Sequence, residues 1–152
     1  MLKLMVVARG ISGSGKSFLV NKKYPDAVIL STDDIFMSRG SNPEYLWSIE
    51  GLGIAHTLNK IKCEEACARS IPVIVIDNTN LKWWEIKPYV EIAKEFGYTI
   101  EVIEPNNDWS KDSIKCYKRN QHGVPLEVIE RQLKNAESLD SILEKINALM
   151  AR

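Results

Sequence analysis

Residues 10–17 of this chain read Gly-Ile-Ser-Gly-Ser-Gly-Lys-Ser and fit the phosphate-binding pattern G-x-x-x-x-G-K-S. An apolar run over residues 2–8 comes directly before this loop, and residues 18–20 continue it as a short helix. A strand, a glycine-rich loop and a helix in this order form the context in which the pattern binds phosphate. The segment therefore predicts a strand–loop–helix unit at the start of an α/β fold.

The residue types of this loop suit the phosphates of ATP. Glycines let successive backbone N–H groups turn towards an anion, and the helix that follows adds the positive end of its dipole. Lys16 can reach the β- and γ-phosphates, and the Ser17 hydroxyl can ligate Mg²⁺. ATP and Mg²⁺ are therefore the predicted cofactors. The residues of the loop predicted to contact them are Gly10, Ser12, Gly13, Ser14, Gly15, Lys16 and Ser17.

Strands and helices alternate along the rest of the chain. The predicted strands are residues 2–8, 27–31, 72–77 and 98–103, and the predicted helices after the loop are residues 43–69, 81–96, 110–120, 125–137 and 139–150. This alternation predicts one α/β domain, residues 1–152, and together with the phosphate loop it fits a P-loop NTPase kinase fold. We expect a four- or five-stranded, mainly parallel sheet with the first strand in a central position, flanked by helices and followed by a C-terminal helical lid.

Acidic residues follow two of the predicted strands at their carboxyl ends, where parallel sheets bind ligands. Asp33 and Asp34 come after the second strand, and one of them could orient an acceptor hydroxyl and accept its proton. For Asp34 alone, capping of the following helix is the stronger alternative to a contact with the acceptor. Asp77 ends the third strand, where a carboxylate can hold Mg²⁺ together with Ser17.

Two further polar segments complete the candidate site. Asn78 and Asn80 lie in the turn after the third strand and can either hold the phosphate loop or face the acceptor, although such residues are also typical of ordinary turns. Lys118 and Arg119 precede a break between helices at residues 120–125, where kinases of this type often carry a lid with a cation for the transferred phosphoryl group.

The composition limits the possible partners. The chain has 152 residues and a formal net charge of zero, so any contact with a polynucleotide must be local. No apolar stretch approaches the about 20 residues of a membrane span, and no signal peptide is recognisable, so we expect a cytoplasmic protein without a membrane partner. Three cysteines are predicted to be buried thiols rather than zinc ligands. The four tryptophans could stack on bases, although core positions are more typical.

Four motifs occur in the same order as in a known family of kinases. They are the loop at residues 10–17, Thr-Asp-Asp at 32–34, Asp-Asn-Thr-Asn-Leu at 77–81, and Lys-Arg-Asn at 118–120 followed by Val-Pro at 124–125. Together they resemble the kinase domain of phage polynucleotide 5′-kinases and of the related NEDD4-binding-protein-2 type (AAA-type) kinases. The resemblance covers nearly the whole chain.

The resemblance implies an ATP-dependent kinase that phosphorylates the 5′-hydroxyl end of DNA or RNA. It implies Asp33 as the general base, Lys16 at the ATP phosphates and Arg119 as the lid cation. The family has an arginine three residues after the base, where this chain has Phe36, and Arg39 is the candidate replacement. A small-molecule kinase acting on a nucleoside, sugar or similar hydroxyl compound is the first alternative. A nucleotide-binding interaction module is the second.

Overall fold

A computed structural model of the protein describes residues 1–33, 49–120 and 123–152. The strands are β1 (Leu4–Ala8), β2 (Val28–Leu30), β3 (Val73–Asp77) and β4 (Thr99–Ile103). The helices in this part of the chain are α1 (Lys16–Lys23), α2 (Ile49–Ala68), α3 (Trp83–Phe96), α4 (Ser113–Arg119), α5 (Leu126–Asn135) and α6 (Leu139–Met150).

The four strands form one parallel sheet in the order β2-β3-β1-β4. In its register, Ala8 at the end of β1 pairs with Asp77 of β3 and with Ile103 of β4. The phosphate loop that follows Ala8 therefore starts between the ends of two neighbouring strands. The predicted parallel α/β sheet with a central first strand is confirmed.

Side chains of β1 alternate between two buried layers because a strand points successive residues to opposite faces. Met5 and Val7 face the layer formed by α2, α3 and α6, whereas Val6 and Ala8 face the layer formed by α1. Strands buried on both faces explain the unbroken apolar runs in the sequence. Gly97 directly follows α3 and has a φ of +76°, the left-handed conformation that a helix end favours.

The boundaries of several helices differ from the prediction. The helix expected from residue 110 begins instead at Ser113, because the Asp112 side chain accepts hydrogen bonds from the backbone N–H groups of Ile114 and Lys115 and caps it there. Lys111 consequently lies outside α4. The described helices include none long and apolar enough to cross a bilayer.

Candidate active site

A cavity of about 1260 Å³ lies at the carboxyl ends of the strands. Residues from every predicted motif line it, and these include Gly13, Lys16, Asp33, Asp77 and Arg119. They come from four separate segments of the chain, which the parallel sheet brings to one edge. The structure thus places the predicted phosphate loop, base, metal ligand and lid cation around a single space.

The phosphate loop contains two glycines whose conformation restricts the residue type. Gly13 has a φ of +80° and Gly15 a φ of +100°, values that other residues rarely adopt. A Cβ atom on Gly13 would lie 2.0 Å from the carbonyl oxygen of Cys116 in α4. The loop backbone therefore lies directly against α4, the helix that carries Arg119.

Lys16 lies at the start of α1 and faces Asp77 at the end of β3. The Lys16 Nζ atom is 3.8 Å from Asp77 Oδ1, and the two side chains are 15% and 14% exposed. Ser17, which follows Lys16, also lines the cavity. A hydroxyl and a carboxylate are oxygen ligands of the kind that Mg²⁺ prefers, so these residues fit the predicted metal.

Asp33 follows β2 and lines the same cavity. Its backbone N–H donates a hydrogen bond to Ser31 Oγ over 3.1 Å, and the adjacent Thr32 donates from its backbone N–H and its hydroxyl to Asn78 Oδ1, each over 3.0 Å. These bonds tie the end of β2 to the turn after β3. The position of Asp33 relative to Asp77 is therefore held by backbone and side-chain hydrogen bonds.

His56 of α2 also lines the cavity and was not singled out by the sequence. Burial lowers the pKa of His56, nearby Lys60 lowers it further, and the negative charge of Asp33 acts in the opposite direction. The net lowering favours a neutral imidazole near Asp33 at neutral pH.

The turn after β3 forms hydrogen bonds with the start of the phosphate loop and with the strands on either side. Asn80 is fully buried, and its Nδ2 donates to the backbone carbonyls of Ala8 over 2.8 Å and Ile76 over 3.1 Å. The backbone N–H of Gly10 donates to the carbonyl of Thr79 over 3.0 Å. Asn80 thus holds the base of the loop, whereas Asn78 lines the cavity and its contact with an acceptor stays a prediction.

Arg119 extends from the end of α4 over the ring of Trp109. The guanidinium carbon lies 4.0 Å from the ring centroid, within the range of a cation–π interaction. Asn107, in the same loop as Trp109, donates from Nδ2 to the carbonyl of Ser14 over 3.0 Å. Lys118 and Arg119 are both exposed, and of the two residues only Arg119 is among those that line the cavity.

Arg9 was not predicted as a site residue, although a charged residue at the end of an apolar strand is a visible signal. It is 3% exposed, and its guanidinium donates to the carbonyls of Asn80, Leu81 and Glu137 and to Glu104 Oε1. Three other segments of the chain therefore meet on this one side chain, at residues 80–81, at Glu104 and at Glu137. It fixes the start of the phosphate loop relative to β4 and to the connection between α5 and α6.

Two residues of α5 also escaped sequence analysis. Gln132 Oε1 accepts from the backbone N–H of Ser12 over 3.0 Å, and its Nε2 lies 3.3 Å from Ser12 Oγ. Arg131 lines the cavity. The helix predicted at residues 125–137 is present as α5. Its contact with the phosphate loop joins two residues that are 120 positions apart in the chain, so local sequence patterns do not reveal it.

Some predicted residues lie outside the part of the chain that the structure describes. They are Asp34, Arg39 and Trp47, one of the four tryptophans, and Phe36, which stands where the family has an arginine, also lies there. The predicted roles of Asp34 and Arg39 at the acceptor stay predictions.

Comparison with protein families and curated proteins gives a consistent result. A family model described as an AAA domain, AAA_33, matches residues 5–139. Human NEDD4-binding protein 2 is 39% identical over 142 residues, which cover 91% of this chain and 8% of that protein. Rat 2′,3′-cyclic-nucleotide 3′-phosphodiesterase is 27% identical over 133 residues, which cover 85% of this chain and 30% of the relative. The chain thus spans less than a third of the length of either relative.

Several solved structures share the fold. The Pnkp1/Rnl/Hen1 RNA repair complex superposes with a TM-score of 0.66 at 18% identity, covering 95% of this chain and 47% of that one. AvrRxo1-ORF1:-ORF2 with ATP gives a TM-score of 0.62 at 17% identity, covering 86% and 46%. A gluconokinase from Sinorhizobium meliloti 1021 gives 0.58 at 18% identity, covering 99% and 93%. Because the family model matches most of this chain, the chain belongs to the AAA_33 family. It is a P-loop kinase-type domain homologous to part of NEDD4-binding protein 2.

Proposed function

We propose that this protein transfers the γ-phosphoryl group of ATP to a hydroxyl group, with Mg²⁺, and that the acceptor is the 5′-hydroxyl end of DNA or RNA. The observation that carries the proposal is that Lys16, Asp33 and Arg119 line one cavity. A cation at the phosphate loop, a carboxylate after β2 and a second cation from the lid are the groups that phosphoryl transfer needs. Residues 1–152 would act as one domain.

The proposed reaction proceeds by in-line displacement. Asp33 orients the acceptor hydroxyl and takes its proton as the oxygen forms a bond to the γ-phosphorus, while the bond from that phosphorus to the β,γ-bridging oxygen breaks and ADP leaves. Lys16 and Arg119 stabilise the negative charge on the transferred group. Ser17 and Asp77 would hold Mg²⁺, which neutralises charge on the phosphates when it is bound.

Two observations support a polynucleotide acceptor. The fold is shared with a chain of an RNA repair complex, and the motifs resemble those of polynucleotide kinases along nearly the whole chain. A second candidate acceptor is a small hydroxyl compound, which the neutral net charge and the gluconokinase fold favour. The three buried free thiols fit a reducing compartment such as the cytoplasm.

The role of Asp33 is tested by the variant Asp33→Asn. We expect ATP binding to remain and the rate of phosphoryl transfer to fall by about 10²-fold or more, as the loss of a positioned base does. Asp26→Asn is the matched control, because Asp26 is an exposed aspartate in the turn before β2 and should leave the rate unchanged. An unchanged rate for Asp33→Asn would show that another group is the base.

The acceptor is tested by offering several hydroxyl compounds with the same labelled ATP and Mg²⁺. A 5′-hydroxyl oligonucleotide, nucleosides and sugars are compared side by side. We expect label on the oligonucleotide, with a rate that falls as salt rises because the strand releases counterions on binding. Label on a small compound alone would favour the second candidate. Tight ATP binding without turnover on any acceptor would favour an interaction module.

A further inference from the structure

Two neighbouring tryptophans at the start of α3 have opposite environments. Trp83 is partly buried against the cluster that contains Ile86 and Ile142, so it belongs to the core. Trp84 is 67% exposed and lines the cavity. Core packing therefore accounts for Trp83 but leaves most of the Trp84 indole in contact with solvent at the mouth of the site.

The sheet order places Trp84 on the acceptor side of the phosphate loop. In the order β2-β3-β1-β4, the loop follows β1, Asp33 follows the edge strand β2, and Trp84 follows β3, which lies between those two strands. Trp109, which carries Arg119 over its ring, follows β4 on the other side of β1. The two aromatic groups thus flank the phosphate loop from opposite directions, and Trp84 shares its side with the candidate base.

The wall of the same cavity also carries positive charge. Lys82 lies two residues before Trp84 and lines the cavity, and Arg131 of α5 lines it as well. An exposed aromatic face beside cations is the combination that binds a nucleic acid strand, because bases stack on the ring and phosphates approach the cations. A sugar acid has no aromatic face to offer such a surface.

We propose that Trp84 stacks on the nucleobase of the acceptor's 5′-terminal nucleotide, so that the acceptor is a hydroxyl compound that carries a base. The inference rests on the proposed kinase function and specifies the substrate of the same site. Trp84 contributes to acceptor binding rather than to proton transfer. Its removal should therefore change the KM for the acceptor and leave the KM for ATP unchanged.

The experiment compares two substrates and three variants. The substrates are a 5′-hydroxyl oligonucleotide and the same oligonucleotide with an abasic 5′-terminal nucleotide. Trp84→Ala should raise the acceptor KM about tenfold on the first substrate, the size expected for one stacked base. Trp84→Phe keeps a ring and should stay within about threefold. Tyr117→Ala removes an exposed aromatic group of α4 that is not among the cavity-lining residues. It should change neither the KM for the acceptor nor the KM for ATP.

The abasic substrate isolates the stacking interaction. We expect wild-type protein to bind the abasic oligonucleotide about as weakly as Trp84→Ala binds the normal one. Trp84→Ala should not raise the KM for the abasic oligonucleotide any further, because the substitution and the missing base remove the same contact. The inference is overturned if Trp84→Ala leaves the acceptor KM unchanged, weakens both substrates equally, or raises the KM for ATP instead. If wild-type protein labels no oligonucleotide at all, the proposed acceptor class fails first and the inference fails with it.

Discussion

Replacing Gly13 with alanine tests the close contact between the phosphate loop and α4. Gly13 has a φ of +80°, and an added Cβ would lie 2.0 Å from the carbonyl oxygen of Cys116 and 2.8 Å from its carbon. Both neighbours are backbone atoms and cannot rotate away as a side chain could. The loop or the helix must move to admit a methyl group.

The expected cost has two parts. A left-handed conformation costs about 1–2 kcal/mol for a residue with a Cβ, and alanine recovers about 0.4–1 kcal/mol through the lower entropy of the unfolded chain. The overlap with Cys116 adds about 1–3 kcal/mol, the range for overpacking a tight contact. We therefore expect Gly13→Ala to lower the free energy of unfolding by about 1–5 kcal/mol in total, with a central value of about 3 kcal/mol.

Gly97→Ala is the matched control. Gly97 has a φ of +76°, close to that of Gly13, but its added Cβ would meet nothing within 4 Å. It should lose only the conformational part, about 1 kcal/mol. Urea unfolding followed by circular dichroism measures both variants, and ATP titration should show weaker binding for Gly13→Ala alone. Equal losses of unfolding free energy in the two variants would refute the close contact.

Two further predictions concern charged side chains. Arg9→Lys should lower the free energy of unfolding by about 2–4 kcal/mol, because one ammonium cannot reach all the acceptors of the buried guanidinium. Arg69→Lys, at an exposed position in the turn directly after α2, should change it by less than about 0.5 kcal/mol in the same urea titration. The hydrogen bond from Lys145 lowers the pKa of Glu137, so Glu137 stabilises the fold above its unfolded pKa of about 4.3 and this contribution is lost as pH falls through the lower folded pKa. The difference in unfolding free energy between wild type and Glu137→Gln should accordingly shrink from pH 6 to pH 3, and a constant difference would contradict this linkage.

Local patterns sufficed to predict the order of the elements. The alternation of apolar runs with segments of helical periodicity predicted the parallel sheet, and the glycine loop after the first run predicted that β1 is central. Both signals lie within short windows of sequence. The predicted start of α4 at residue 110 was wrong because Asp112 caps that helix. A single capping side chain is a weaker sequence signal than the helical periodicity of residues 110–120. The end of α3 was predictable because Gly97 supplies the left-handed residue that a helix end favours.

Residues of the candidate site were predictable only where they belong to a contiguous sequence motif. Lys16 and Asp77 belong to such motifs, and the structure places them on the cavity wall. Arg131 and His56 reach the same cavity from helices whose sequences contain no comparable pattern. Their positions follow from how α5 and α2 pack on the sheet, which depends on contacts between residues far apart in the chain.

The contacts around the phosphate loop indicate a loop that is formed before a nucleotide binds. The N–H of Gly10 bonds the turn after β3, the N–H of Ser12 bonds Gln132 of α5, and the carbonyl of Ser14 accepts from Asn107 after β4. Each of these partners comes from a different element, so ordering the loop is part of folding rather than part of binding. A loop ordered in this way does not lose backbone entropy when phosphate arrives, which leaves more of the interaction energy for affinity. The same rigidity fixes Lys16 relative to Asp77, and through Cys116 it links the loop to the helix that carries Arg119.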